Sequence, residues 1–350
     1  MPNVVQILTE KKYGSFKSFP VFDLLIKHGL YTARMTFRSK GMFSYPPGTV
    51  VCYFAAFKMP FIVEEVTYEA QGFSEVTCIS PWELMKRRNK CSTYMGASAI
   101  NFQPLAVLYY YIKHINEDPN QRFAYDLVAA VPSEYVGYSE SFDPTTSLYD
   151  DCYKAALYNQ LYFYSSINVS RNDNVQIALH AVSLDNDNTI IDIGPIDPEK
   201  VRITKRLPSN PTHWFIEHTK DYGMWKPASR GPIHTWRENR PYMGNSSDWT
   251  GAYRYETAIR GDQEREWGEI TEQIQADPLK AVSIDVDNIP VSIFKNIYIG
   301  APVKTSFGGI LITGYVVELT ISGGDLTSYS IKIQPDRFYE NGKEVTDKWI

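Results

Sequence analysis

The sequence has few cysteines, no excess of positive charge and no long apolar run. Four cysteines in 350 residues are too few for the disulfide framework of a small secreted protein. The 35 basic and 40 acidic side chains give a net charge of −5, which argues against a general nucleic-acid-binding surface. Even the most apolar windows, such as 309–319, fall short of the roughly 20 apolar residues that a membrane-spanning helix needs.

Targeting and catalytic motifs are also absent from the sequence. Residues 1–5 lack a basic region followed by an apolar one, so we predict no signal peptide and synthesis in the cytosol. The sequence contains no nucleophile elbow, phosphate-binding loop, dinucleotide fingerprint or zinc-protease motif. We therefore predict that the protein is not an enzyme, has no catalytic residues and needs no cofactor.

Candidate metal ligands occur without the spacing that a metal site requires. Cys78 and Cys91 have no flanking histidine, and no Cys-x-x-Cys occurs. His213 and His218 are five residues apart, which suits one helical face poorly. The segment 184–189 resembles the start of a calcium loop, but the loop has no glycine at its sixth position and no carboxylate at its twelfth. We therefore predict no metal site.

Aromatic residues are abundant and favour β-structure. The chain has 25 Tyr, 17 Phe and 7 Trp, together 14% of its residues, and such residues are typical of pleated, half-buried strands. Apolar and polar residues alternate over 31–37, as expected of a strand with one buried face. Further strands are predicted at 49–54, 61–68 and 74–79. We predict an α+β fold that is mainly β.

The middle of the chain mixes predicted helices and strands. A short helix begins after Ser80, because this N-cap serine is followed by Pro81 and Glu83. The spacing of apolar residues predicts longer helices at 104–116 and 145–167. The remaining predictions are strands at 174–179, 189–193 and 200–204 and a polar helix at 263–275.

A tryptophan-rich segment at 207–262 shows no regular period and is the strongest candidate for a functional site. Tryptophan, tyrosine and arginine are enriched at the anchors of protein–protein interfaces, so we predict an interface here. Its predicted residues are Trp214, Trp225, Trp236, Trp249, Arg237 and Arg240. The alternative is a carbohydrate-binding or carbohydrate-active cleft, since acidic residues such as Glu217 and Asp221 stand near the tryptophans.

The two ends of the sequence resemble each other in the order and spacing of their strands. Alternating strands at 31–37 and 282–287 each precede a Gly-x-x-Val step, which begins at Gly48 and at Gly300, an offset of 300 − 48 = 252. A long apolar strand, a glycine turn and a returning strand follow in each case. Short strands with tight turns suit small closed barrels, which have no free edge. We predict two such barrels.

The two ends also resemble the tube domains of a known family. Residues 73–79, which run into the short helix with its basic end Arg87-Arg88, resemble the close of the first tube domain of phage tail (baseplate) hub proteins. Residues 300–303 and 314–321 are similar to the second tube domain. The division that follows is a first tube-type barrel at 1–88, a helical insertion at 89–170, a mixed region at 171–280 and a second tube-type barrel at 281–350.

The resemblance implies a function. Hubs of this family are homotrimers whose two barrels per chain form a ring of six, which adapts the six-fold tail tube to a three-fold tip spike and lines the DNA ejection channel. The implied partners are copies of the chain, tail tube or distal tail proteins, the spike, and baseplate wedge or peripheral tail proteins, with DNA passing unbound. The implied location is the virion tail, after assembly in the host cytoplasm.

Two other interpretations stay open on the sequence alone. A carbohydrate-binding or carbohydrate-active protein would lose glycan binding on Trp225→Ala or Trp236→Ala, and a distal tail adaptor would form a hexamer instead of a trimer. The hub interpretation itself requires that the two ends fold into matching closed sheets. We expect that one continuous sheet shared by the two ends would contradict it.

Overall fold

The computed structural model describes the greater part of the two ends of the chain and selected segments of its middle. The described residues are 3–9, 15–53, 59–87, 147, 149–150, 152–153, 156, 161–169, 175–183, 189–205, 282–323 and 327–346, and the backbone of 124–129, 213–218, 233–238 and 256–261. Within these residues no helix has the length and apolar character needed to cross a bilayer. The helices predicted at 104–116 and 263–275 lie outside them.

The described residues fold mainly into β-strands, which confirms the predicted fold class. In chain order the strands are β1 (Asn3–Leu8), β2 (Phe16–Gly29), β3 (Ala33–Lys40), β4 (Val50–Cys52), β5 (Pro60–Glu69), β6 (Phe73–Ile79), β7 (Ala124–Ala129), β8 (Leu161–Val169), β9 (Val175–Ser183), β10 (Ile191–Pro195), β11 (Val201–Lys205), β12 (His213–His218), β13 (Ile233–Glu238), β14 (Glu256–Gly261), β15 (Val282–Val286), β16 (Pro302–Phe307), β17 (Ile310–Gly323), β18 (Thr327–Glu340) and β19 (Lys343–Glu344). Short helices among the described residues include α1 (Pro81–Leu84) and α2 (Val291–Phe294).

Strands β1 to β6 form a closed barrel. Each pairs antiparallel with its neighbour in the order β1-β4-β5-β6-β3-β2, and β2 pairs back onto β1. Apolar and polar side chains alternate along the strands, so that one face of the sheet is buried inside the barrel. In β3 the side chains of Ala33, Met35 and Phe37 are buried, and the intervening ones are more exposed. The strands predicted at 31–37, 61–68 and 74–79 are confirmed.

The barrel ends in the predicted short helix, which α1 confirms. The Ser80 side chain accepts a hydrogen bond from the backbone N–H of Trp82, and Pro81 takes the first helical position. The Trp82 ring is buried and stacks on Phe163, with ring centroids 4.1 Å apart. Its indole N–H donates to the carbonyl of Tyr164 at 2.9 Å. Through these contacts α1 holds the middle of the chain against the barrel.

A three-stranded sheet in the order β7-β9-β8 occupies part of the middle of the chain. The helix predicted over 145–167 is therefore wrong in its second half, where β8 lies, although 149–150 and 152–153 are helical. The physical reason is tertiary packing: Phe163 stacks on Trp82, and its N–H donates to the Leu30 carbonyl at 2.7 Å. An aromatic-rich run suits either element until such contacts decide.

The tryptophan-rich segment also contains regular structure. Strands β12, β13 and β14 form a sheet in the order β13-β12-β14, with β14 parallel to β12. The absence of a regular period at 207–262 therefore does not mean that the segment lacks strands. Each of these strands has only six residues, which is too short for a period to stand out among glycines, prolines and asparagines.

The C-terminal unit has the strand order β10-β16-β17-β18-β15-β11, and β19 adds to β18. Strands β10 and β11 lie within the segment 171–280 that was predicted to be separate, yet they pair with β16 and β15. Their short connection contains the turn Pro198–Lys200, which Asp197 caps by accepting from the Glu199 N–H at 3.1 Å.

The Gly-x-x-Val steps take the same conformation in both units. The Gly48 N–H donates to the Val63 carbonyl at 2.8 Å, and the Gly300 N–H donates to the Val316 carbonyl at 2.8 Å. The two glycines have φ values of 89° and 82°, a region that glycine adopts without steric cost. The offset predicted from the sequence thus relates two positions with the same local geometry.

A β-bulge repeats next to these positions. The pairing of β5 with β6 shifts between Val63 and Glu65, and the pairing of β17 with β18 shifts between Val316 and Glu318. Strands β3 to β6 pair among themselves as β15 to β18 do, and β11 lies on β15 as β2 lies on β3. The equivalence covers these five strands, since β10 runs parallel to β16 whereas β1 runs antiparallel to β4.

The two units share one sheet, because β2 pairs antiparallel with β17. The expectation of two separate closed sheets is therefore wrong at this point. Strands β2 and β17 have 14 residues each, so each is long enough to pair within its own unit and then continue along the other. The result is a run of eight neighbouring strands, β5-β6-β3-β2-β17-β18-β15-β11, and the buried apolar side chains of both units form one cluster.

Candidate assembly surface

Two strands share one edge of β2 at the joint between the units. Strand β1 pairs with the first half of β2 and ends with Asn3 opposite Val21, whereas β17 pairs with the second half and ends with Gly323 opposite Leu24. Both pairings are antiparallel. The C-terminal unit therefore extends the sheet at the point where β1 stops.

The side chain of Asn3 fills the joint. Its carboxamide oxygen accepts hydrogen bonds from the Tyr53 hydroxyl at 3.3 Å and the Thr327 hydroxyl at 3.1 Å. A side chain at Gly323 would place its Cβ against the Asn3 carboxamide, so a larger residue there would require the Asn3 side chain to move. Because buried polar groups need partners, the bond from Thr327 ties Asn3 to the C-terminal unit, and the bond from Tyr53 fixes it within the N-terminal one.

A buried histidine lies at the same joint. His28 is 6% exposed and stands opposite Leu319 across the β2–β17 pairing. Burial lowers the pKa of His28 from 6.5 to about 4, and a hydrogen bond with the backbone of Phe163 opposes part of this shift. His28 is therefore neutral at pH 7 and contributes its imidazole to the packing between the units.

A fall in pH is expected to lower the free energy of unfolding because His28 is buried at this joint in its neutral form. Between pH 6.5 and about 4 the unfolded state binds a proton that the folded state does not, so the free energy of unfolding falls as the pH falls through this window. A shift of this size corresponds to about 3 kcal/mol. Urea denaturation at pH 7, 5.5 and 4 checks the value, and His28→Leu should lose that part of the pH dependence. An equal pH dependence in both proteins would contradict the assignment.

A row of alternating charges crosses the outer face of the C-terminal unit. Glu318 stands opposite Lys332, Lys332 opposite Asp285, and Asp285 opposite Arg202. The Lys332 ammonium lies 3.5 Å from a carboxylate oxygen of both Glu318 and Asp285. Arg202, at the end of the row, is exposed and has no ion pair within the described part of the chain.

The whole eight-strand run presents a polar face opposite to the apolar core. Hydroxyl and charged residues occupy the positions that alternate with buried ones, and in the N-terminal unit Arg38 pairs with Glu69 and Asp23. The remaining polar positions are Lys27, Arg34, Thr36, Glu65, Thr67, Glu75, Thr77, Arg202, Thr204, Ser283, Asp285, Glu318, Thr320, Ser322, Ser328, Ser330 and Lys332. This face has many hydroxyls and charges of both signs.

The residues predicted as an interface lie partly within the described strands. Trp214 stands opposite Arg237 in the β12–β13 pairing, where Trp236 stands opposite Phe215. Trp225, Trp249 and Arg240 lie outside the described residues. The structure does not bring the six residues together as a described site, so both their interface role and the carbohydrate alternative stay predictions.

The candidate metal ligands do not form a cluster where the structure describes them. His213 and His218 are the two ends of β12, and Cys91 lies outside the described residues. Burial raises the pKa of the Cys78 thiol well above its usual range, which disfavours the thiolate that a zinc ligand requires. Across the described ranges no group of three or more His, Cys, Asp or Glu side chains could hold a metal ion.

Strand β2, which carries the joint, was missed on the sequence. Its alternation is interrupted at Asp23, where φ is 52° and the pairing with β3 shifts. The apolar residues on either side, Val21 and Leu24, therefore fall out of a strict period of two. The alternation of Leu24, Ile26 and His28 with more exposed neighbours is the signal that could have identified its second half.

Comparisons with known proteins place this architecture among tail proteins. No family model matches the chain, and no curated protein sequence matches it. The solved tail protein from Neisseria meningitidis MC58 is similar over 96% of this chain and 97% of its own, with a TM-score of 0.59 and 9% identity. This chain has the fold of a phage tail protein.

A second solved structure shows the same tail-protein fold. The 43 kDa tail protein of prophage MuSo2 from Shewanella oneidensis is similar over 95% of this chain and 99% of its own, with a TM-score of 0.53 and 10% identity. The likeness spans both units and the middle of the chain in each case. At such low identity it is a likeness of fold, so function has to be argued from the surfaces described above.

Proposed function

We propose that the protein is a structural hub of a phage tail or baseplate, which acts as a homotrimeric ring and not as an enzyme. One observation carries the proposal: a single chain holds two units with equivalent strands, joined edge to edge through β2 and β17. Three such chains supply 3 × 2 = 6 equivalent positions. A ring of this kind has six-fold geometry on the tube side and three-fold geometry on the spike side.

The shared sheet goes against the expectation of two separate closed sheets, and the criterion that such a sheet contradicts a hub was too strict. Each unit keeps its own equivalent set of strands, so the joint extends the sheet from one unit to the next without merging their topologies. If the same joint is repeated between chains, the eight-strand run continues around the ring and gives 3 × 8 = 24 strands. Closure of that kind removes the free edges of the sheet, which are otherwise sites of unwanted association.

The polar face is proposed to line the channel through which DNA leaves. Serine and threonine hydroxyls and paired charges, such as Lys332 between Asp285 and Glu318, cover it. Nonspecific DNA binding requires cations that neutralise several phosphates. Two basic side chains of this face, Arg38 and Lys332, are already paired with carboxylates, which lowers the number of cations available to hold passing DNA.

Partners are proposed at the two openings and at the rim of the ring. Tail tube or distal tail proteins would meet one opening and a tip spike the other. The segment 207–262, with Trp214, Trp236 and Arg237 on described strands, would contact baseplate wedge or peripheral tail proteins. The proposed location is the virion tail, with assembly in the host cytoplasm.

Oligomeric state and ring symmetry test the proposal. Purified full-length protein is expected to have three times the mass of the chain in light scattering, and negative-stain images are expected to show rings with three-fold symmetry and a central channel. A monomer at all concentrations would overturn the ring. A hexamer would instead favour a distal tail adaptor.

A further inference from the structure

Five strands of one unit are equivalent to five of the other. The register of the joint inside the chain therefore predicts how the two outer edges of the sheet would pair with each other. Ile26 on β2 stands opposite Met35 on β3, and Ile203 on β11 stands opposite Ile284 on β15. Met35 and Ile284 are equivalent positions, because each is two strands away from its bulge: Met35 faces Cys78, which faces Val63, and Ile284 faces Ile333, which faces Val316. The offset in numbering between β2 and β11 is therefore 203 − 26 = 177. The repeated bulge, at Val63 and at Val316, gives the offset between β5 and β17 as 316 − 63 = 253.

Both equivalent edges lack a partner strand within the described residues. Strand β4 pairs with β5 only over Pro60–Ile62, so the second half of β5 is paired with β6 alone. Strand β11 pairs with β15 alone. In the chain, the corresponding halves of β17 and β2 pair with each other. The sheet therefore ends on two edges that have the same backbone form as the two sides of its internal joint.

The side chains on these edges suit such a joint. Tyr68 on β5 is 54% exposed, although its hydroxyl donates to the Phe43 carbonyl at 3.1 Å, and Ile203 on β11 is only half-buried. In the internal joint the equivalent positions hold Ile321 opposite Ile26, since 321 − 253 = 68. If Tyr68 and Ile203 faced each other across such a joint, each would bury more of its apolar surface.

Charge favours the same pairing. The internal joint sets Leu25 opposite Ser322, and the two offsets carry these positions to Arg202 (25 + 177) and Glu69 (322 − 253). Arg202 ends the alternating row Glu318-Lys332-Asp285-Arg202 without an ion pair in the described part of the chain. A glutamate in the next position continues the alternation, and opposite charges that face each other across a sheet stabilise it.

We propose that the second half of β5 pairs antiparallel with β11 of a second copy of this chain, with Tyr68 opposite Ile203 and Glu69 opposite Arg202. This pairing rests on the proposed ring and specifies its contact between copies. It is heterologous: each copy offers a β5 edge on one side and a β11 edge on the other, so the contact closes into a ring when the rotation per chain allows it.

A cysteine cross-link tests the register. Residues directly opposite each other in antiparallel strands have Cα atoms about 4.5–5.5 Å apart, within the range of a disulfide. In full-length protein carrying Tyr68→Cys and Ile203→Cys, mild oxidation is expected to give covalent dimers and trimers on non-reducing gels. The matched control, Val66→Cys with Val201→Cys, is out of register by about 13 Å along the strand and should give at least ten-fold less.

The experiment tests the proposed strand pairing and the proposed ring separately. Light scattering of the unsubstituted protein and both cysteine variants reports the oligomer, while the gel reports the edge contact. Trimers that cross-link no better in register than the control overturn the proposed pairing and leave the ring intact. Open, cross-linked chains without a closed trimer would support the pairing and overturn the ring, whereas monomers that do not cross-link would overturn both. If the first variant fails to fold by circular dichroism, Glu69→Cys with Arg202→Cys tests the same register.

Discussion

Replacement of Trp82 by alanine is expected to lower the free energy of unfolding by about 3–5 kcal/mol, the cost typical of truncating a fully buried aromatic side chain. Trp82 is 1% exposed, stacks on Phe163 with an interplanar angle of 6°, and donates a hydrogen bond to the Tyr164 carbonyl. Alanine removes the stacking and leaves that carbonyl without its donor. Urea denaturation followed by far-UV circular dichroism measures the change.

Trp82→Phe is the matched control for this prediction. Phenylalanine keeps an aromatic face against Phe163 and loses the indole N–H, so a smaller loss of about 1–2 kcal/mol is expected. The difference between the two variants then measures the stacking and the cavity. A loss below about 1 kcal/mol for Trp82→Ala would contradict the role of Trp82 as the contact that holds β8 to the barrel.

Gly314→Ala is expected to destabilise the C-terminal unit by about 3 kcal/mol or more, because the added methyl group has no room. Its Cβ would lie 2.2 Å from the carbonyl oxygen of Gln334 and 2.9 Å from the Cα of Pro335. Both atoms belong to the backbone of β18, so relief requires the two strands to separate. Thermal unfolding followed by circular dichroism checks this expectation.

Gly29 provides the control for Gly314, since it is also a glycine within a long strand that is paired on both sides, here β2. A Cβ at Gly29 would meet only carbonyl oxygens at 3.8 Å, an ordinary contact distance. Gly29→Ala is therefore expected to change the free energy of unfolding by less than about 1 kcal/mol. Similar losses for both alanine variants would contradict the close approach of β18 as the cause, and backbone entropy could not explain them because it favours alanine over glycine.

Local patterns predicted the fold where alternation or capping was strong. The alternation in β3 and β15, and Ser80 with Pro81 before α1, identified these elements, and the glycine steps identified the repeat. Predictions were wrong where distant contacts decide. In β8 the aromatic run around Phe163 forms a strand because Trp82, which lies far away in the sequence, packs on it.

The candidate site could not be predicted in the same way, because its geometry joins residues that are far apart in sequence. Leu24 and Gly323 stand opposite each other although they lie near opposite ends of the chain. The sequence contains no local sign of this pairing, nor of the carboxamide of Asn3 that occupies the space beside Gly323. Residues such as Arg202 become notable only once the register shows that they end a row of charges.

The two units have equivalent backbones but differ in the side chains that they carry. At positions related by the repeat, the C-terminal unit carries Asp285 and Lys332, whereas the N-terminal unit carries Thr36 and Thr77. Around three assembled chains, the main chain of this face would repeat six times, whereas the lysine–aspartate pair would recur only in every second unit. The wall of the proposed channel would thus combine six-fold backbone geometry with three-fold charge.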